Sequence, residues 1–451
     1  MGSLAQYTDL YDANKDVINA HSTSILNERR ECARQYLEGK NLPTTNDEDY
    51  RKTSIDAMFA HDYGVNINKV NIPVDAASSF RCDIPNLSTL MAFVINDMFV
   101  PLANLHSKLS DGVIVDSLAN AAKLHPELVA RYYGTVAPKE NVGVALNSML
   151  VQDGVFIYIP KGVVVEKTIQ IVNIFNAPVD LMAVRRMLIV VEDDAQAKIL
   201  VCDHTQDLQN KYLSSQIIEI VVGKDARLDF YDVEKSTLKT SRYSQTYVNQ
   251  GEKSDVLIDG ITLSGGNTRN NYIININGEY SETRLAGMAI GMLNQHTDNS
   301  SNINHNVAHC HSTQLFKYVL DDEATGAFEG SILVSPDAPY TEAYQNNRNI
   351  LASTSARMHT RPQLIIHNDE VKCSHGATTG QLDAQALFYM RTRGVSEKEA
   401  RTMLMQAFMS DVIDTVRMDG LRDRLRYLVE KRFNGRQNIC SECDVACRET
   451  K

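Results

Sequence analysis

No stretch of this chain strings together the roughly 18 apolar residues that a membrane-spanning helix needs, so no such span is expected. Positive charge is also in deficit. Against 56 Asp and Glu stand 45 Lys and Arg, leaving a net charge of −11. That balance argues against a nucleic-acid binder that works by neutralising phosphates. Nucleotide signatures are missing as well: there is no GxxxxGK[ST] loop, no dinucleotide fingerprint and no nucleophile elbow. The LSGGN at Leu263–Asn267 stands alone and reads as a turn between strands. The opening residues, MGSLAQYTDLYDANKD, carry neither a basic n-region nor an apolar h-region, so no export signal is expected. Eight cysteines are scattered along the chain, which points to free thiols or metal ligands in a reducing cytosol rather than to disulfides.

What is present suits a soluble globular protein of two or three domains: 451 residues, 43% hydrophobic and 22% charged. Residues 1–140 read as an α-rich region, with helical stretches expected over 12–37, 46–58, 88–98 and 116–133. From about Val142 the texture changes to strands. DGVFIYIPKGVVVEKTIQIVNIF alternates around Pro160 and Gly162, and strand-like runs follow at Val256–Leu263, Tyr272–Ile276, Arg284–Ile290 and Leu315–Leu320. A word V-x-x-D-A starts at Val191 and again at Val222, 31 residues apart, and a third copy at Val334 is out of step. Recurring strand–turn units suggest a solenoid in which each turn buries the next, with a β-sandwich as the alternative. No helix long enough for βαβ crossovers interrupts the strands, which excludes a doubly wound sheet. After Gly380 the pattern is helical. Ser396–Glu399 has the form of a capping box, and Ala400, Met403, Leu404, Ala407, Phe408, Val412, Ile413 and Val416 make one apolar stripe.

Three constellations are candidates for chemistry. Cys373 and His375 stand two apart, hence on one face if that piece is extended, where they suit zinc, iron or sulfur transfer as well as plain packing. His305, His309 and His311 alternate in INHNVAHCHS, which on one strand would align three imidazoles for a divalent metal or simply for solvent. Cys440, Cys443 and Cys447 would share a face on a helix, able to hold zinc or an iron–sulfur cluster, or they are incidental thiols of a tail.

Longer words go further. QNNRNILAS, RPQLII, VKCSHGAT and QLDAQALFYMRTRGVSEKEA, together with EGKNLPTTNDEDYRKT and LNSMLVQDGVFIYIPKGVVVEKTIQI, resemble the SufB/SufD family of iron–sulfur cluster assembly proteins, and its SufD branch in particular. The resemblance implies a mainly β fold: a right-handed parallel β-helix core over 141–372 between N- and C-terminal helical regions, the latter being 373–451. It implies a non-enzymatic subunit that pairs with a SufB-like protein, or with itself, and binds a SufC-like ATPase through its C-terminal helices, with Met403, Leu404 and Phe408 as docking residues. It further implies that Cys373 and His375 lie at the partner interface, where a transient cluster or iron is held, while the chain itself binds no nucleotide. A SufB-like scaffold is the alternative. The SufB pattern has a cysteine shortly before the final strand and a glutamate after the motif histidine; here those places read Thr360-Arg361-Pro362-Gln363 and Gly376. A β-helix polysaccharide lyase or hydrolase is the more distant alternative.

Overall fold

The computed structural model describes residues 2–70, 89–101, 105, 109–110 and 112–434. From Ile169 onward successive strands alternate between two sheets, and from Leu181 to Leu351 each pairs in parallel with the strand two before it and the strand two after it. Thus Arg227–Lys235 is flanked by Gln196–Thr205 and Asp255–Ser264, with Leu228 opposite both Ala197 and Val256. This is a parallel β-solenoid of about eight turns. Period-two alternation then sends one residue of each pair inward. Ile199, Val201, Phe230, Ile258, Ile274 and Phe316 stack along the interior as its apolar core.

The corners explain the recurring word. Asp194, Asp225, Lys253, Tyr280, His309 and Tyr340 occupy one corner in successive turns, all with φ between 52° and 60°. A left-handed conformation costs a non-glycine residue roughly 1 kcal/mol. The cost is offset by a ladder along the corner, in which the Asp194, Asp225 and Lys253 N–H groups each donate at 2.8 Å to a carbonyl of the next turn. In the first two words the Asp is that left-handed residue and the buried Ala195 or Ala226 follows it inward. In the third, the left-handed residue is Tyr340, beyond Asp337, so the turn is longer; the copy is out of step because the strands between end at Gln250, Ile276 and His305, closer together than Val191 and Val222.

Helices cover the outer faces. α1 (Leu4–Ala20), α2 (Ser24–Tyr36) and α3 (Ile55–Phe59) lie on the N-terminal side, and α4 (Leu118–Leu124), α5 (Pro126–Tyr132) and α6 (Val142–Leu150) follow. Tyr7, Tyr11, Phe59 and Met149 pack on Met182, Val184, Leu213 and Tyr243 of one sheet. After the last strand come α7 (Ala384–Thr392), α8 (Glu397–Ile413) and α9 (Asp419–Phe433). Met405, Met409, Val412, Leu425 and Val429 cover Leu200, Tyr231, Leu257 and Met288 of the other sheet. The Ser396–Glu399 capping box is formed as expected.

Two local expectations fail. Over the described part of 88–98 the chain is not helical: Leu90–Ile95 is a strand beside Ile169–Phe175, and Met98–Pro101 returns antiparallel to it. An open sheet edge and the β-branched pair Val94-Ile95 outweigh local helical pattern there. Conversely, Val142–Leu150 is a helix, capped by the Asn141 side chain, which accepts from the Val144 N–H at 3.0 Å. Seven of its nine residues are buried, so no amphipathic period marks it in the sequence.

The solenoid's two ends differ. At the N-terminal end the antiparallel strands Met98–Pro101 and Ile114–Ser117 close the two sheets. At the other end Arg357–Ile366 and Lys372–Gly380 each pair on one side only. The strands therefore continue past residue 372, where the helical region was expected to begin.

Candidate functional site

Cys373 and His375 sit on Lys372–Gly380, the last strand of its sheet, opposite Ala343 and Gln345. The segment is extended, so the two side chains share a face. Ala343 belongs to a buried cluster with Ile332, Val334 and Ala338, and Cys373 packs against that cluster half-buried. Burial pushes its thiol up, which keeps it protonated near neutral pH. His375 is exposed at the open end. Among the described residues no group of three or more His, Cys, Asp or Glu could hold a metal ion. The strand therefore offers two donors, and a tetrahedral site would require others from outside.

Behind His375 the interior is polar. Its register partner Gln345 donates to Gln314 at 3.1 Å, and Ser301 donates to the same oxygen at 2.7 Å. Deeper in, Asn270 donates to Asn299 at 3.0 Å and Thr268 to Glu234 at 3.0 Å. The lane ends in a buried charge cluster. Arg242 is ion-paired with Asp232 and lies 3.5 Å from Asp203 and 3.9 Å from Glu234. Arg185 donates to Asp203 at 2.9 Å. Burial opposes the Arg242 charge, but Asp232, Asp203 and Glu234 outweigh it and raise its hold on the proton. Burial pushes Glu234 up to about 7 and raises Asp232 as well. Sequence reasoning missed this cluster. Its signal was there: paired arginines inside the apolar run LMAVRRMLIVV, and Asp and Glu at alternate places in RLDFYDVEK.

The histidine trio is not a metal face. His305 ends one strand, His309 lies in the corner with φ 58°, and His311 begins the next strand. The intervening turn destroys the alternation that would have aligned them. His305 is buried against the Ser312 hydroxyl at 2.8 Å, and burial lowers its pKa to about 4. His309 stacks between Tyr280 and Tyr340, with centroids 4.9 and 4.8 Å away. Cys440, Cys443 and Cys447 lie outside the described residues.

On the C-terminal helices the buried stripe is rotated from the expected one: Met405 and Met409 face the sheet, while Met403 is 51% exposed and Leu404 half-buried. Lys317, buried on the sheet, engages the helix in this orientation. Its ammonium donates to the Phe408 carbonyl at 2.7 Å, pairs with Asp411 and lies 4.3 Å from the Phe408 ring centroid. α7 buries none of its residues and leaves Phe388 and Tyr389 70% and 58% exposed, two aromatics the stripe did not include.

The fold is thus a parallel solenoid closed at one end, flanked by helices, and open at the other beside a thiol and an imidazole. The chain belongs to the SufBD family of iron–sulfur cluster assembly proteins. Residues 174–408 match the SUF system FeS cluster assembly SufBD core domain, and residues 1–171 match the SufBD protein N-terminal region. It is similar to the iron–sulfur cluster assembly SufBD family protein slr0076 of Synechocystis, 30% identical across 92% of this chain and 93% of that one. It also resembles the iron–sulfur cluster assembly protein SufD of Bacillus subtilis, 28% identical across 75% and 78% of the two chains. The SufD of Escherichia coli is 29% identical over 53% and 57%. Among the described residues no helix is long and apolar enough to cross a membrane.

Proposed function

We propose that this chain is a SufD-like, non-catalytic subunit that pairs with a SufB-like protein through the open end of its solenoid. The observation that carries this reading is the pair of one-sided strands, Arg357–Ile366 and Lys372–Gly380, side by side at that end. Each presents a row of backbone donors and acceptors with no partner in its own sheet, and such edges associate with other strands. Ile365 and Ile366, 42% and 39% exposed, add apolar surface. In the pair, Cys373 and His375 face the join and contribute to holding iron or a nascent cluster as cargo, the partner supplying the remaining ligands. The Cys373 proton must leave for its sulfur to bind metal, so assembly there releases a proton. A SufC-like ATPase docks on the C-terminal helices, where Phe388, Tyr389 and Met403 lie exposed and Leu404 and Phe408 border them. The described cysteines Cys32, Cys202, Cys310 and Cys373 are free thiols, which fits a reducing cytosol.

The test is Ile365→Lys. A charge on an exposed edge position blocks strand pairing without disturbing the core. Co-expressed with a SufB-like partner and analysed by native mass measurement, the variant should lose the heterodimer and keep its melting temperature. Undiminished pairing overturns the edge assignment.

A further inference from the structure

The segment EGKNLPTTNDEDYRKT leaves the N-terminal helices and crosses the outer face of one sheet from strand to strand. The Tyr50 hydroxyl lies 3.2 Å from that of Tyr243 on Thr240–Gln250, and its ring centroid lies 5.0 Å from the Arg269 guanidinium on Asn267–Ile276. On His296–His305, Asp298 Oδ2 accepts from the Thr53 hydroxyl at 2.5 Å, and His296 Nε2 lies 2.8 Å from the same hydroxyl. The Thr53 proton is thereby spent on Asp298. His296 therefore donates from Nε2 and accepts at Nδ1 from the Thr325 hydroxyl, 2.6 Å away on Thr325–Val334. Arg361, on Arg357–Ile366, donates to Glu48 at 3.0 Å and pairs with Glu329 at 3.0 Å. Glu48 and Arg361 are 313 residues apart, so this tie joins the N-terminal region to the last strand of that sheet.

The two edge strands are thus held unequally. Lys372–Gly380 is exposed at every residue but Cys373. Arg357–Ile366 is half-buried at six of its ten residues, and Arg361 ties it to a segment whose own anchor, Thr53, is 2% exposed. An edge strand peels by breaking a single ladder, so a contact from outside the ladder counts directly against its opening. Thr53 cannot leave its place without depriving the buried Asp298 of a donor, which keeps the segment where Glu48 reaches Arg361.

We propose that residues 48–53 are a strap that holds the edge strand Arg357–Ile366 in its ladder, and that the N-terminal region thereby tunes pairing through the open end. The second half of this inference rests on the pairing reading above; the first does not. Thr53 is the fixed point, and Glu48 is a positioning residue that acts through Arg361. Pairing needs the strand in its ladder, so apparent affinity scales with the fraction of molecules in which it is so held.

Hydrogen exchange of the full chain, read by mass spectrometry on peptides covering 357–366 and 372–380, tests the strap without any partner. In the parent, 357–366 should exchange more slowly than 372–380. Glu48→Ala/Thr53→Val should speed exchange in 357–366 about threefold or more and leave 372–380 unchanged. Glu48→Ala alone alters an exposed side chain, so it keeps the fold and should speed the same peptide about twofold. Unchanged exchange in 357–366, or an equal rise in both peptides, overturns the strap. With a SufB-like partner, the double variant's affinity should fall by the ratio of held fractions that the exchange rates give; undiminished affinity despite a lowered held fraction overturns the coupling to pairing. Failure of the pairing reading itself shows separately, as intact pairing in Ile365→Lys.

Discussion

Replacing Arg242 by Met should expose how the interior charge cluster is balanced. Arg242 is 3% exposed at its side chain and is the cation shared by Asp232, Asp203 and Glu234. Methionine keeps much of its length and removes the charge. Asp203 retains Arg185 at 2.9 Å, but Asp232 loses its ion-pair partner and Glu234 keeps only hydroxyl donors such as Thr268. Breaking a buried pair by removing one member costs roughly 3–5 kcal/mol. The carboxylates can recover part of this by taking up protons. Glu234 already sits at about 7 against an ordinary 4.5, with burial as the main cause. Its folded pKa is raised, so its contribution to stability is fully present below about 4.5 and is lost as pH rises through 7. Without Arg242 that window extends upward, because the charge that favours ionisation is gone. The variant's deficit should therefore be largest near pH 8 and clearly smaller near pH 6. Urea unfolding followed by circular dichroism at the two pH values measures it through the transition midpoint. A midpoint equal to the parent's, or a deficit identical at pH 6 and pH 8, refutes this account.

At the seam between the C-terminal helices and the solenoid, burial pushes Asp259 up to about 8 while the Thr415 hydroxyl donates to it at 2.9 Å. Asp259→Asn should therefore raise the unfolding free energy from urea titration at pH 8 by on the order of a few kcal/mol, and the gain should shrink as pH falls toward 4; a gain that does not vary with pH counts against it. Phe388→Ser combined with Met403→Ser changes exposed side chains only, so the melting temperature should stay within about 2 °C while affinity for a SufC-like ATPase drops at least tenfold in surface-plasmon titration. Unchanged affinity moves the docking face elsewhere. His375→Ala should lower the iron and acid-labile sulfide of the anaerobically reconstituted complex without lowering complex yield, and Cys373→Ser should give an overlapping, non-additive defect; normal cluster content in both removes the pair from the chemistry.

The solenoid was legible because it repeats, and because each strand's alternation is local. Val191 and Val222 begin the same word since Asp194 and Asp225 turn the same corner in left-handed conformation. The repeat was only partly legible because the corner asks for a backbone shape, not a residue. Lys253, Tyr280, His309 and Tyr340 adopt that shape too, and nothing in their chemistry announces it. The same corner defeated the histidine trio, since alternation holds within a strand and the chain leaves the strand between His305 and His311.

Pairing across turns was illegible for a different reason. Arg185 and Asp203 are 18 residues apart and Arg269 and Asp298 are 29 apart, yet each pair is buried in contact. A charged residue inside an apolar run announces that a partner exists but not where: Asp203 comes from the next strand, in the opposite sheet, and Asp298 from the register of strands two apart. Lys317 shows the consequence for a helix. Read alone, α8 presents Leu404 and Phe408 as core; the buried ammonium on the sheet takes the Phe408 carbonyl and the face of its ring, and the helix turns until Met405 and Met409 are innermost. Burying a lysine requires that its donors be satisfied, and Lys317 finds acceptors for them on α8 in the orientation that hides Met405 and Met409 and leaves Met403 outside.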